Sequence, residues 1–154
     1  MTFIPAFDVV VNPVEFEKWM YAEARAGRGI LCSVDHQPYS KANSRRPASG
    51  VSKSGKKFTR FIKSENGMNF DAVAKSSKVV YREMDSYDIR PYACDVVAFA
   101  LLLYRSRRSD VDESLLLDSM QGKLYENDRQ VRYKIIAGAI DGGRPRAVIL
   151  VKPI

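Results

Sequence analysis

Apolar residues recur along the chain with two different periods. Phe16, Trp19, Met20 and Ala24 fall at helical spacing, and Glu15, Glu17, Lys18 and Arg25 lie elsewhere on the segment. Asn12-Pro13 is a start signal: an amide that accepts from the first free N–H groups, then a ring already held at a helical φ. Gly27 and Gly29 are a stop signal. The pattern predicts an amphipathic helix of about three turns, packed on the core or on a partner subunit. Ile30–Val34 is a short apolar run and reads as a strand. Phe70, Val73, Ser77, Val80 and Met84 line one face of a second helix, with Ser64 as its cap. The stretch 92–104 follows Pro91 and is rich in Val, Phe, Leu and Ala. It reads as a central strand, although its length also accommodates a buried helix. A short helix is expected over 112–121, ending at Gly122. Val131–Ile140 and 146–152 read as two strands joined as a hairpin through Asp141-Gly142-Gly143. No internal repeat is visible. This order of elements predicts an α/β (α+β) chain with a small mixed β-sheet and helices packed on it.

The stretch 36–64 breaks the pattern. It holds Lys41, Arg45, Arg46, Lys53, Lys56, Lys57, Arg60 and Lys63 and no acidic residue, together with Pro38, Pro47, Gly50, Gly55 and six serines. It reads as a mobile basic loop with a short strand over 58–62. The whole chain carries a net charge of +7 on 154 residues. That balance favours a polyanionic partner such as nucleic acid, or else a basic surface kept for solubility. The length suits one domain, and 45% apolar residues suffice for a core.

Cys32 and Cys94 each lie in an apolar run. Both are expected to be small core thiols in a reduced compartment, with a disulfide between them left open. His36 is the single histidine. Cys and His together do not make a zinc site, so any metal here needs oxygen ligands. The opening MTFIPAFDVVVNPVEF has no basic leader pattern, and the apolar run 96–104 is too short to span a bilayer. The expected location is the cytoplasm.

The stretch RSRRSDVDESLLLDSMQGKLYENDRQVRYKII concentrates acidic residues beside a basic pair. On extended backbone Asp110 and Asp112 point the same way, which is repulsive unless a cation lies between them. Asp118 follows on the short helix. Asp128 precedes the next strand and can return to the same end of the sheet. Carboxylate clusters suit magnesium, a hard ion that keeps waters for substrate phosphates. The chemistry so implied is phosphodiester hydrolysis. Plainer roles fit the same residues: Asp110 or Asp112 as a helix cap, Asp118 as a solvent-facing helix residue, Asn127-Asp128 as a turn.

The succession D-V-D-E, a helix bearing Asp118, then N-D-R-Q-V leading into a strand resembles the RusA-type Holliday junction resolvases. That family carries D-x-D-N, a helical Lys, a helical Asp and D-D-x-Q-V. Pro38-Tyr39-Ser40-Lys41-Ala42-Asn43 with Arg45 and Arg46 is similar to the family's segment after its first strand, and Arg107-Arg108 fits its basic pair. The likeness runs from about Ile30 to the end. It divides the chain into an N-terminal helical extension, 1–28, and a RusA-like nuclease domain, 29–154. The resemblance implies a homodimeric, magnesium-dependent endonuclease that cuts branched DNA such as four-way junctions in recombination and repair. Such proteins often belong to bacteriophages and prophages.

The family's essential carboxylates fall on Asp110, Asp112 and Asp128, and its helical Asp on Asp118. The expected DNA contacts are Lys41, Arg45, Arg46, Lys53, Lys56, Lys57, Arg60, Arg107 and Arg108. There are departures. Glu113 replaces Asn, Asn127 replaces the first Asp of the pair, and the spacing between Asp112 and Asp128 is shorter. Leu115, Leu116 and Leu117 occupy the region of the helical lysine. Among Arg107, Arg108, Lys123 and Arg129, Lys123 is the favoured replacement, because it lies just past Gly122. A restriction-type site is disfavoured, since no Asp or Glu is followed two residues later by Lys. Two other classes compete: a non-catalytic basic DNA-binding protein of the same fold, and a dimerisation protein built on the first helix.

Overall fold

A computed structural model describes residues 3–39, 45–63, 65–106 and 111–154; the side chains of 45–47 and 60–63 lie outside that description. The elements are α1 (Phe7–Val10), α2 (Pro13–Arg25), β1 (Ile30–Val34), β2 (Arg45–Val51), β3 (Lys57–Lys63), α3 (Glu65–Ser76), β4 (Val79–Tyr81), β5 (Met84–Ser86), β6 (Val96–Tyr104), α4 (Ser114–Ser119), a 3-10 turn (Asp128–Gln130), β7 (Val131–Ile140) and β8 (Arg146–Pro153). The fold is mixed α+β. Six strands form one sheet in the order β5-β4-β1-β8-β6-β7, and β2 and β3 form a separate pair.

Period-two alternation assigns the two faces of the large sheet. Leu31, Val97, Phe99, Leu101, Leu103, Val148 and Leu150 point to one side and pack on Phe16, Met20 and Ala24 of α2. Cys32, Ala98, Ala100, Leu102, Ile149 and Val151 point to the other and meet Phe70 of α3 and Leu115, Leu116 and Leu117 of α4. The sheet is thus sandwiched between α2 and the α3–α4 layer. Every residue of β6 is buried, because this strand has neighbours on both edges and helices over both faces.

Asn12 caps α2 as its position predicts, its side chain accepting from the Glu15 N–H, and Gly27 follows with φ +77°. Through α2, the described part of 1–28 shares its core with the rest of the chain. Buried and half-buried charges fasten this layer as well. Lys152 donates to Glu23 at 2.7 Å and to the Phe3 carbonyl at 3.0 Å. Arg146 grips Glu17 at 2.7 and 3.0 Å and Asp141 at 2.8 Å.

Four expectations change. First, β7 and β8 are not a hairpin. β6 lies between them, parallel to β7 and antiparallel to β8. The turn at Asp141-Gly142-Gly143 steps over the end of β6, where Asp141 N–H bonds the Tyr104 carbonyl at 2.9 Å. A hairpin would have left one edge of the all-apolar β6 unpaired. Second, residues 45–63 are not a loop with one short strand but the β2–β3 hairpin, with Arg45 opposite Lys63 and Val51 opposite Lys57. Third, α3 stops at Ser76. The Ser77 hydroxyl takes the Val73 carbonyl at 2.6 Å, and Val79 and Val80 leave the helix to pair with β1. Val80 and Met84 are therefore strand residues. Fourth, Cys32 is buried but Cys94 is exposed, and neither is in a disulfide. Among the described residues, no helix is long and apolar enough to cross a membrane.

Candidate functional site

The acidic residues lie on the connection between β6 and β7. Parallel neighbours require a crossover from the end of one strand to the start of the next, and α4 and the 3-10 turn fill it. Lys134 of β7 donates to Glu113 at 3.1 Å, and Lys134 stands opposite Ala98, near the start of β6. The chain has therefore run back along the strand pair before α4 begins. Asp112 and Glu113 stand toward the end of the pair at which Asp128 introduces β7. From the pattern alone Asp112 belongs where β6 stops. The structure moves it toward the other end.

Each carboxylate has a local reason for its place. Asp112 Oδ1 accepts from the Ser114 N–H at 2.9 Å, an Asx-type start to α4. Asp118 is half-buried on α4, and Asp128 is exposed in the 3-10 turn. Between them in the chain is Tyr125, whose hydroxyl donates to the Leu117 carbonyl. Burial pushes the Tyr125 phenol upward from its ordinary range, and the charges of Asp128 and Asp118 push it further.

The N-D-R-Q-V segment is explained by its own hydrogen bonds. Asn127 Oδ1 accepts from the Arg129 N–H at 2.9 Å, and the Gln130 side-chain Oε1 accepts from the Asn127 N–H at 2.7 Å. The Gln130 amide also donates to the Tyr92 and Cys94 carbonyls at 2.8 and 2.7 Å. Gln130 thus ties the turn to the chain entering β6 and sets where Asp128 stands.

Lys123 turns elsewhere. Its ammonium is hydrogen-bonded to the Ser77 carbonyl, just past the carboxyl end of α3, where a cation is favoured. The structure instead puts Lys134 beside the acidic segment, on β7, where a sequence reading confined to the crossover does not look. Arg132 is two residues earlier and pairs with Asp95 at 3.3 Å.

The basic residues occupy several places. Lys53, Lys56 and Lys57 are exposed around the tip of the β2–β3 hairpin. That tip closes with Ser52 N–H on the Lys56 carbonyl at 2.8 Å and with Gly55 at φ +82°. Arg45, Arg46 and Arg60 lie on its strands, their side chains outside the description. Lys41, Arg107, Arg108 and Asp110 lie outside the described residues. A polar cavity of about 460 Å³ opens at the exit of β6, with His36, Tyr39, Arg105 and Arg144 in its wall. No pattern in the sequence marks Arg105 or Arg144 as site residues. A larger cavity of about 530 Å³ lies on the α2 side, the opposite layer from α4, and its Arg146 is already engaged by Glu17 and Asp141.

Among the described residues no three His, Cys, Asp or Glu side chains gather as a metal cage. The donors that Asp112 and Asp128 offer are hard carboxylate oxygens. Magnesium is commonly held by one or two such groups, with water and substrate phosphate completing its shell. The donor chemistry therefore fits that ion. No protein-family model and no curated protein sequence matches the chain.

Proposed function

We propose that the chain is a magnesium-dependent endonuclease that hydrolyses phosphodiester bonds in branched DNA such as four-way junctions. It would act as a homodimer in the cytoplasm, in recombination and repair. The observation that carries this reading is the return of the crossover, which brings Asp112 toward the end of the strand pair where Asp128 begins β7. The resemblance of D-V-D-E and N-D-R-Q-V to RusA-type resolvases supports it, as does the +7 charge. The two thiols outside any disulfide suit a reduced compartment.

In this reading Asp110, Asp112 and Asp128 hold the ion. A bound magnesium supplies an activated water and charge neutralisation at the phosphate. Gln130 holds Asp128 in position, and Asp118 adds negative charge from α4. The hairpin lysines and Arg107-Arg108 hold the DNA backbone. Water adds to phosphorus and the bond to the leaving sugar oxygen breaks.

The test is cleavage of a labelled four-way junction with and without magnesium, by the natural chain and by Asp112→Asn and Asp128→Asn. Both variants should lose at least about a hundredfold in rate while binding DNA as well or better, since repulsion is removed. A folded Asp112→Asn protein that cuts at the normal rate would sink the assignment. The competing reading is a non-catalytic DNA-binding protein of the same fold, and it draws on Asp112 already having a local structural role, accepting from the Ser114 N–H ahead of α4. It predicts binding with no cutting under any metal condition.

A further inference from the structure

We infer that Lys134 is the cation that meets a DNA phosphate at the acidic end of β7; this rests on the nuclease reading above. Four observations combine. Ile135, Ala137 and Ala139 pack on the α2 side of the sheet, and Ile136 packs on the other. Strand side chains alternate, so Lys134 stands on the α4 side, where the carboxylates are. Its ammonium is 3.1 Å from Glu113, the residue next to Asp112. β7 is at the edge of the sheet, and the Lys134 side chain is 44% exposed, so a strand of DNA can reach it. An ion pair this open contributes little to stability, and its lysine can be shared with an incoming anion.

The electrostatics require such a group. Asp112, Glu113, Asp118 and Asp128 all lie on one crossover, and a phosphate approaching them meets like charge. A positioned cation offsets that repulsion and stabilises the extra negative charge that builds on phosphorus as water adds. Among the described residues, Lys123 is turned onto the Ser77 carbonyl and Arg132 pairs with Asp95, ahead of β6, whereas Lys134 pairs with Glu113 of the acidic crossover itself. Lys134 acts by charge and hydrogen bonding alone. Its partner Glu113 aims it before DNA arrives.

The test pairs a metal-free measurement with a catalytic one. Affinity of the full chain for a four-way junction is measured in EDTA across a salt series, for the natural protein, Lys134→Met and Lys134→Arg. Single-turnover cleavage is then measured at saturating magnesium. Lys134→Met should flatten the plot of log affinity against log salt by about one unit and slow cleavage about a hundredfold. Lys134→Arg should keep the slope and recover part of the rate. Lys134→Gln serves as a second uncharged variant should Met disturb the strand. An unchanged slope overturns the inference. With unchanged cleavage as well, Lys134 is only a surface ion pair; with slowed cleavage, it acts through Glu113 and not on the phosphate. If the natural protein binds junctions but never cuts them, and Lys134→Met still flattens the slope, the nuclease reading fails while the phosphate contact stands.

Discussion

Lys152→Met tests how the N-terminal layer is held. Lys152 is 2% exposed and its partner Glu23 4%. The ammonium bonds Glu23 and the Phe3 carbonyl and lies 4.5 Å from the centre of the Phe3 ring and 5.3 Å from that of Trp19. Methionine fills a similar volume, so packing changes little. What changes is Glu23, left buried with Arg28 as its remaining cation. Breaking a buried pair typically costs about 3–5 kcal/mol. The surviving Arg28 bond places the loss near the low end, about 3 kcal/mol, or roughly 6–12 °C in Tm for a domain of this size. Urea unfolding should show a lower midpoint with an unchanged slope.

Glu23→Gln in the same background should recover a good part of the loss, because it removes the orphaned charge. The pH dependence has a definite sign. Burial alone would raise the Glu23 pKa, but hydrogen bonds from Arg28 and Lys152, and their charges, outweigh burial and hold it below 4.5. A carboxyl with a depressed folded pKa contributes stability that is complete above the unfolded value and lost as pH falls through the folded one. Lys152→Met removes part of that depression. The gap between natural and variant protein should therefore be widest at neutral pH and narrow below about 4.5. A loss under about 1 kcal/mol at neutral pH, or a double variant no more stable than the single one, would refute this account of the cluster.

Two further outcomes follow from the same structure. A chain starting at residue 29 should fail to fold cooperatively, since it loses the fully buried Phe16 and Met20, strands Lys152 without Glu23 and leaves Arg146 with Asp141 but without Glu17. Circular dichroism and heat melts check this, and a sharp two-state melt of the truncated chain would show that the sheet does not need α2. Replacing Lys53, Lys56 and Lys57 together by Ser should leave Tm nearly unchanged, because all three are exposed. The variant should flatten the salt dependence of junction binding by up to about three units; an unchanged slope would mean the hairpin tip does not touch DNA.

Much of the local structure was legible along the chain. The Asn12 cap, the period of α2, the apolar runs of β1 and β6, the short helix before Gly122 and the extent of β7 are set by neighbours in sequence. The forces involved, cap hydrogen bonds, φ preferences and one-face burial, act over a few residues. Asp118 lies on the short helix, and Asp112 and Asp128 stand just ahead of that helix and of β7, so their identities could be named from the pattern.

Their arrangement could not. Asp141-Gly142-Gly143 carries the chemistry of a tight turn whether or not the flanking strands pair with each other. What separates β7 from β8 is the need of β6 to have both edges bonded and both faces covered, a requirement carried by residues some 40 positions upstream. The parallel β6–β7 pair then obliges the crossover to return, which moves Asp112 and Glu113 from the end of β6 toward its start. The same return sets Lys134 beside Glu113, while packing of the crossover against α3 draws Lys123 onto Ser77. Sequence periodicity reports which face of an element is buried. It carries no information on which element covers that face, and that was decided only when the sheet closed around β6.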